Sequence, residues 1–232
     1  MKKSPATSEQ AAETDSRKIK NLLYEQVARI GKSVSSPKRL ELLELLCQGE
    51  MNVEQLANEA QIGVKLTSAH LSVLKAASMV KARREGKNIY YSLTASEVAN
   101  FWVTIRSLAE ERLLDLQSAL GSMVEGAGDL SSMDRAELLK VAARGDVIVI
   151  DVRPVAEFAV GHLPYARSMP IAELKKRMAE LPHDKSIVAY CRGPFCLFAS
   201  EAVKLLRDKG YRAQRLDDGV AEWQAHGQHI ER

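Results

Sequence analysis

Ile187-Val188-Ala189-Tyr190-Cys191-Arg192-Gly193-Pro194-Phe195-Cys196, followed by the run from Leu197 to Lys209, decides how the second half of this chain folds. Ile187, Val188 and Tyr190 are β-formers in a short apolar run and predict a buried strand. Ala199, Val203, Leu205 and Leu206 then recur at helical spacing. A short loop that opens at Cys191 joins the two. A cysteine in that place faces the first unsatisfied N–H groups of a helix, whose partial positive charge favours an anion, and successive loop amides form a concave nest. Both effects favour thiolate over thiol, which makes Cys191 a candidate nucleophile, and Arg192 adds positive charge. A buried, inert cysteine is the alternative that position alone leaves open.

Outward from this loop, helices and strands alternate. The pattern predicts a helix around Asp134–Arg144, a strand over Asp146–Asp151, a helix from Pro170, and a last strand near Arg212–Leu216 that leads into a helix through Trp223. Such alternation predicts an α/β layer with a mostly parallel sheet, and ligands of such sheets bind beyond the carboxyl ends of the strands, where Cys191 lies. Three ordered motifs carry a resemblance over roughly Asp129 to Arg232. They are the cysteine loop, Asp151-Val152-Arg153-Pro154 with Glu157-Phe158 and Gly161-His162-Leu163-Pro164, and the closing Leu216-Asp217-Asp218-Gly219-Val220 with Trp223. Together they resemble a rhodanese, or sulfurtransferase, domain. The resemblance implies a persulfide on Cys191, cradled by the loop Arg192, Gly193, Pro194, Phe195, Cys196 and Leu197. It implies that Asp151, Arg153 and His162 support the pocket without reacting. A cysteine phosphatase would need Cys-x5-Arg to clamp phosphate bidentately, and that position here is Leu197. Cys196 departs from the polar or basic residue common in the family. It is either a packed thiol at a helix start, the reading preferred because loop geometry can hold two sulfurs apart, or a second thiol able to attack a Cys191 persulfide.

The chain has 232 residues, enough for one large domain or two ordinary ones, and its 46% hydrophobic and 27% charged shares are globular values. Three cysteines are too few for a disulfide scaffold, and no apolar run reaches membrane-spanning length. The polar stretch 1–15 reads as a flexible tail and not as an export signal, so a reducing cytoplasm is expected and no membrane partner. The net charge is only +3, so any electrostatic partner must be met by a local patch.

The first half predicts helices. Ser16 can cap one with Ile19, Leu22, Leu23, Val27 and Ile30 on a single face, and Ser36-Pro37 starts another that is dense in leucine and ends at Gly49. Asn52-Val53-Glu54-Gln55 is a capping box for a short helix, and a turn at Ile62-Gly63 leads into a helix from Val64 to Ala77. Two short helices joined by a glycine-containing turn form a helix-turn-helix candidate. Val80 to Leu93 reads as a β-hairpin with its turn near Glu85-Gly86. Thr94 to Glu97 is a second capping box. It opens a long helix with Val98, Phe101, Trp102, Ile105, Leu108, Leu113, Leu116 and Leu120, a stripe wide enough to pair with a second copy of the chain.

This order over residues 16–120 resembles the ArsR-type winged-helix regulators. Leu66 to Lys75 is similar to their recognition helix, and Arg83-Arg84-Glu85-Gly86-Lys87 with Tyr90-Tyr91 to their wing. The charges agree: Lys65, Lys75, Lys81, Arg83, Arg84 and Lys87 face one anion, Glu85, over this stretch. Lys65, Lys75, Arg83, Arg84 and Lys87 suit phosphate, and Thr67, Ser68 and His70 suit base edges in a major groove. The bland alternatives are a solvated surface for Lys75 and a structural role for His70. A symmetric homodimer would read half-sites of double-stranded DNA about 34–36 Å apart. The cysteine pair and the Asp and His pairs that bind metal elsewhere in that family are missing here, so neither metal nor cofactor is expected, and Cys47 reads as a packed thiol.

The expected organisation is therefore a tail (1–15), a mainly α winged helix-turn-helix domain (16–120), a Gly- and Ser-containing linker (121–132) and a rhodanese-like α/β domain (133–232). The expected function is a dimeric DNA-binding regulator, a repressor by preference, in which Cys191 senses or transfers sulfane sulfur from a small-molecule or persulfide donor. A tethered sulfurtransferase and an inactive oxyanion-binding module are the alternatives.

Overall fold

The computed structural model describes residues 6–124 and 133–232, so most of the expected linker and the first residues of the expected tail lie outside the described residues. The chain divides into two compact units. One holds residues up to Leu42 together with Asn52–Thr94; the other holds Leu43–Met51 with Ala95–Arg232.

In the first unit, α1 (Ala6–Val34) begins ten residues before Ser16, so Ser16 lies inside the helix and is not its cap. Ala6, Glu9, Gln10, Ala11, Ala12 and Glu13 are strong helix formers, which explains the longer helix. The helix α2 (Pro37–Cys47) begins at its proline and is followed by the short strand β1 (Met51–Asn52). The capping box at the start of α3 (Val53–Glu59) is complete: Gln55 N–H donates to the Asn52 side chain, and Asn52 N–H donates to Gln55 Oε1, both at 2.9 Å. The turn into α4 (Val64–Ala76) is followed by strands β2 (Val80–Glu85) and β3 (Asn88–Leu93), paired antiparallel with Glu85 opposite Asn88. Gly86, at φ +58°, takes the left-handed conformation of that turn. Leu42, Leu56, Leu71, Leu74 and Val80 form the buried interior.

The second unit starts its long helical segment at Ala95, which makes no side-chain cap. The expected Thr94 capping box is absent. The Thr94 hydroxyl donates instead to the Ser78 carbonyl at 2.7 Å, and a hydroxyl used there cannot cap a helix. The segment also breaks at Leu113, whose extended backbone separates α5 (Ser96–Arg112) from α6 (Leu114–Val124). The next elements are α7 (Arg135–Ala143), β4 (Val147–Asp151), α8 (Val155–Val160), β5 (Arg167–Ser168) and α9 (Ile171–Arg177). After them come β6 (Ser186–Tyr190), α10 (Phe198–Arg207), β7 (Arg212–Arg215) and α11 (Val220–Ala225). The four strands form one parallel sheet in the order β5-β4-β6-β7.

Side-chain alternation along β4 and β6 divides the core into two layers. Ile148, Ile150, Ile187 and Ala189 face one layer, with Leu174 of α9 and Val203 and Leu206 of α10. Val147, Val149, Val188 and Tyr190 face the other, with Leu138 of α7 and Trp223 of α11. Both faces are covered, as a parallel sheet requires, and Cys191 emerges at the carboxyl end of central strand β6. Among the described residues no helix is long and apolar enough to cross a membrane.

Candidate functional site

Cys191 follows β6 directly, and α10 begins seven residues later. Its side chain is buried in the layer that contains α10, yet it is not sealed in hydrocarbon alone. Backbone N–H groups of Gly193 and Ala199 hydrogen-bond its sulfur, and its thiol lies 3.4 Å from the Cys196 carbonyl. Cys196 is the titratable neighbour that acts on the Cys191 thiol. The Cys196 N–H donates to the Gly193 carbonyl at 3.1 Å and closes the loop into a turn.

The pair divides its charge unevenly. Burial pushes the Cys191 thiol well above its ordinary range, and the neighbouring Cys196 pushes it the same way. The hydrogen bond from Cys191 pulls Cys196 down to about 7 against its own burial, helped by the N–H groups of Arg192 and Phe198 and by the Arg192 charge. Cys196 is the sulfur whose surroundings favour the thiolate, and it is the more exposed of the two; Cys191 is the deeper one.

Buried ion pairs hold the loop. Arg192 Nε meets Glu157 Oε2 of α8 at 3.0 Å, so its charge is committed to Glu157 as well as to the sulfurs. Arg215, fully buried at the end of β7, donates to the Pro194 carbonyl at 2.7 Å and to Ser200 Oγ at 2.9 Å. Gly193 has φ +139°, which only glycine adopts readily. A Cβ at Gly219 would lie 2.6 Å from the Arg192 carbonyl group, so that turn must pass the loop as glycine. Phe195 meets Trp102 of α5 edge to face at 6.1 Å. Glu222 of α11 accepts from the Gly219 N–H at 2.7 Å and from Arg106 of α5 at 2.5 Å. Part of the stripe expected to pair with a second copy (Val98, Trp102) is thus buried inside this unit, where α5 packs on α11.

The expected pocket supports separate into two groups. Asp151 and Arg153 form a fully buried pair: Arg153 Nε lies 3.0 Å from both carboxylate oxygens, and Tyr190 donates its hydroxyl to Asp151 at 2.6 Å. Arg153 also donates to the Gly161 carbonyl and to Gln48 Oε1, each at 2.8 Å, and so locks the strand end below the loop. His162 stacks on Phe158 at 3.7 Å and faces Glu231 at 3.6 Å, on the side of the carboxyl-terminal segment.

In the first unit, the exposed face of α4 carries Lys65, Leu66, Ala69, Ser72, Val73 and Lys75, with Ser68 and His70 half-buried. Thr67 does not belong to that face: it is fully buried, and its hydroxyl donates to the Gly63 carbonyl at 3.2 Å. A side chain turned into the core cannot reach a base edge, which removes it from the reading residues. Ser72, unmarked in the sequence, takes its place on the exposed face. In the hairpin, Arg83, Arg84 and Lys87 are exposed; Arg83 pairs with Glu85 and lies 5.2 Å over the Tyr90 ring.

Comparison with known proteins decides the family. Residues 36–82 match the bacterial regulatory protein arsR family, and residues 134–226 match the rhodanese-like domain. The HTH-type transcriptional regulator Rv0324 of Mycobacterium tuberculosis is 42% identical over 208 residues, covering 90% of this chain and 91% of that protein. The chain belongs to the ArsR family of transcriptional regulators and carries a rhodanese-like domain. A sulfurtransferase of Allochromatium vinosum is 35% identical over 89 residues, 38% of this regulator and 81% of that protein. The solution structure of a homodimeric winged helix-turn-helix domain from Mycobacterium bovis, a possible ArsR-family regulator, is 39% identical. It covers 40% of this chain and 87% of that one, with a TM-score of 0.39.

Several residues of this ArsR-family regulator that bear on the thiol loop were invisible to sequence reasoning. Arg106, Arg215 and Glu222 look like ordinary surface charges in the sequence and are buried in the structure. Glu44, on α2, lies among the charges around Cys196, and its Oε1 is buried without a hydrogen-bond partner. Its leucine-rich surroundings, Leu42-Leu43 and Leu45-Leu46, were the one available signal of burial. Among the described residues no group of three or more His, Cys, Asp or Glu could hold a metal ion.

Proposed function

We propose that this DNA-binding regulator is a dimeric repressor that takes sulfane sulfur onto Cys191 and changes its grip on the operator as a result. One observation carries the reading. The Cys191 thiol, reached by the N–H groups of Gly193 and Ala199 and lying 3.4 Å from the Cys196 carbonyl, sits in a loop whose Phe195 packs on α5. The helix α5 follows the wing hairpin with two residues between them, so a change in the loop bears on the element next to the DNA-facing strands. Dimerisation is supported by the apolar residues left exposed on α1 (Ile19, Leu22, Leu23, Tyr24, Val27) and at the α5–α6 junction (Leu108, Leu113, Leu114). The exposed wing cations and the Lys65 and Lys75 face of α4 supply the phosphate contacts; Ser68, His70 and Ser72 supply base-edge donors and acceptors.

Driving a two-state equilibrium from almost all bound to almost all released takes about 5.5 kcal/mol of differential stabilisation. A sulfur atom inside a loop fixed by buried ion pairs acts on a rigid support, which favours such a coupling. The test is a mobility-shift titration of operator DNA with and without inorganic polysulfide. Wild type is expected to lose affinity on treatment while Cys191→Ser keeps it; an unchanged wild type, or an equal change in Cys191→Ser, overturns the reading. A second reading, turnover as a sulfurtransferase, is favoured by the likeness to the Allochromatium protein. It predicts thiocyanate from thiosulfate and cyanide, lost in Cys191→Ala, with DNA affinity indifferent to the donor.

A further inference from the structure

We propose that Cys191 takes its sulfur from a singly charged donor with an apolar body, in preference to a dianion such as thiosulfate, and that Leu197 sets this choice. The proposal rests on the reading that Cys191 accepts sulfane sulfur, and it names the class of donor. The first observation is the pairing of the cations. Three arginines touch the loop, and each meets a carboxylate. Arg192, within the loop, places Nε 3.0 Å from Glu157 Oε2. Arg215 donates to the Pro194 carbonyl and lies 2.9 Å from Asp217 Oδ1. Arg106 lies 5.8 Å over the Phe195 ring and 2.5 Å from Glu222 Oε1, with Glu110 Oε1 3.0 Å from its Nε. The positive charge that the sequence places around Cys191 is therefore offset where it stands. Backbone N–H groups remain to attract an anion, and their partial charges suit the single charge of a thiolate or a persulfide.

The second observation is the side of the loop that meets solvent. Cys191 Sγ lies 3.4 Å from the Cys196 carbonyl oxygen and 3.9 Å from that of Gly193, so the loop folds round the sulfur. Leu197 follows Cys196 in the chain and is 48% exposed, while Pro194, Phe195 and Cys196 are half-buried. Leu197 also stands where a Cys-x5-Arg loop carries the cation that clamps an oxyanion. A donor that reaches Cys191 past these residues exchanges water for carbon. That exchange is favourable for an apolar body and costly for a charge without a partner.

Thiosulfate and an organic thiosulfonate transfer sulfur by the same step, which balances without a proton or an outside oxidant. The Cys191 thiolate forms a bond to the donor's outer sulfur. The bond from that sulfur to the oxidised sulfur breaks, and the leaving group departs with the electron pair. Cys191 is oxidised to a persulfide, while the oxidised sulfur of the donor is reduced to sulfite in one case and to a sulfinate in the other. With the thiolate, thiosulfate brings three negative charges into the loop and a thiosulfonate two. Each charge beyond the first must be held by amides alone, because the arginines are already paired.

The full chain is treated in turn with thiosulfate, benzenethiosulfonate and inorganic polysulfide, and the sulfur gained at Cys191 is followed over time by intact mass and peptide mapping. Wild type is expected to load from benzenethiosulfonate at least about tenfold faster than from thiosulfate. Leu197→Arg is expected to load from thiosulfate about tenfold faster than wild type does, the effect of one hydrogen bond between charged groups. Leu197→Gln, polar and uncharged, is expected to keep the slow thiosulfate rate. Loading from polysulfide shows that each variant retains a working loop. Equal loading of wild type from benzenethiosulfonate and thiosulfate overturns the preference while the uptake reading stands. A thiosulfate rate in Leu197→Arg no higher than in Leu197→Gln overturns the role of residue 197. If none of the three donors, polysulfide included, adds sulfur to Cys191 of wild type, the uptake reading itself fails and takes this proposal with it.

Discussion

Glu44 shows how one side chain can acquire a property its sequence position does not advertise. In an unfolded chain its carboxyl releases its proton near the ordinary value of 4.5; in the folded chain it holds that proton to about pH 8. Between those values the folded state binds one more proton than the unfolded state. Its contribution to stability is therefore complete below about pH 4.5 and is lost as pH rises through about 8. Urea unfolding of wild type and Glu44→Gln at a series of pH values checks this: the wild-type stability should fall more steeply across that window than the variant's. Parallel curves would mean that the carboxyl is already ionised in the fold. Cys191 and Thr67 make the same point from opposite sides. Position at a strand end places Cys191 at the start of the loop, but which of Cys191 and Cys196 gives up its proton more readily depends on which sulfur is deeper. Thr67 has the chemistry to read a base and spends it on the Gly63 carbonyl because its place on α4 turns it inward.

At the level of elements, α5 is where sequence and structure diverge most. Its apolar stripe suggested a surface for a second copy, and two of its residues, Val98 and Trp102, are instead buried within this unit, Trp102 against Phe195 of the cysteine loop. The Arg106–Glu222 pair is the polar centre of that packing, both side chains being almost fully buried, and Glu222 also secures the Gly219 turn. Removing one member of a buried pair leaves the other charge without compensation, at a cost of about 3–5 kcal/mol, whereas replacing both with apolar groups is often close to neutral. Arg106→Met or Glu222→Gln alone should therefore destabilise the protein by about that much in denaturant unfolding, and the double replacement Arg106→Met with Glu222→Met by much less. Additive losses would show that the pair is not coupled. No spacing rule connects residue 106 to residue 222; only the packing of two helices does.

For the whole molecule, the +3 net charge says little about DNA, and the local cations say a good deal. Each wing residue that touches phosphate adds about 0.9 to the slope of log affinity against log salt. Arg84→Ala and Lys87→Ala should each lower that slope by roughly one, measured by fluorescence anisotropy over a salt series, with little change in sequence preference. An unchanged slope in both would remove the wing from the DNA contacts. The sequence alone determined the two domain types, the helix-turn-helix followed by a hairpin and the strand that ends at the cysteine loop, but not β1, α8, β5 or the break between α5 and α6. What it determined follows from local rules: hydrophobic period, caps at Asn52 and Pro37, the glycine at the hairpin turn, and the strand-to-helix change at Cys191. Only the tertiary structure decided that Arg106 and Glu222 meet, that Thr67 is buried and that one carboxyl oxygen of Glu44 is buried without a partner. Each of these is set by burial and by contacts between residues far apart in the chain, and neither quantity is written in the spacing of neighbouring residues.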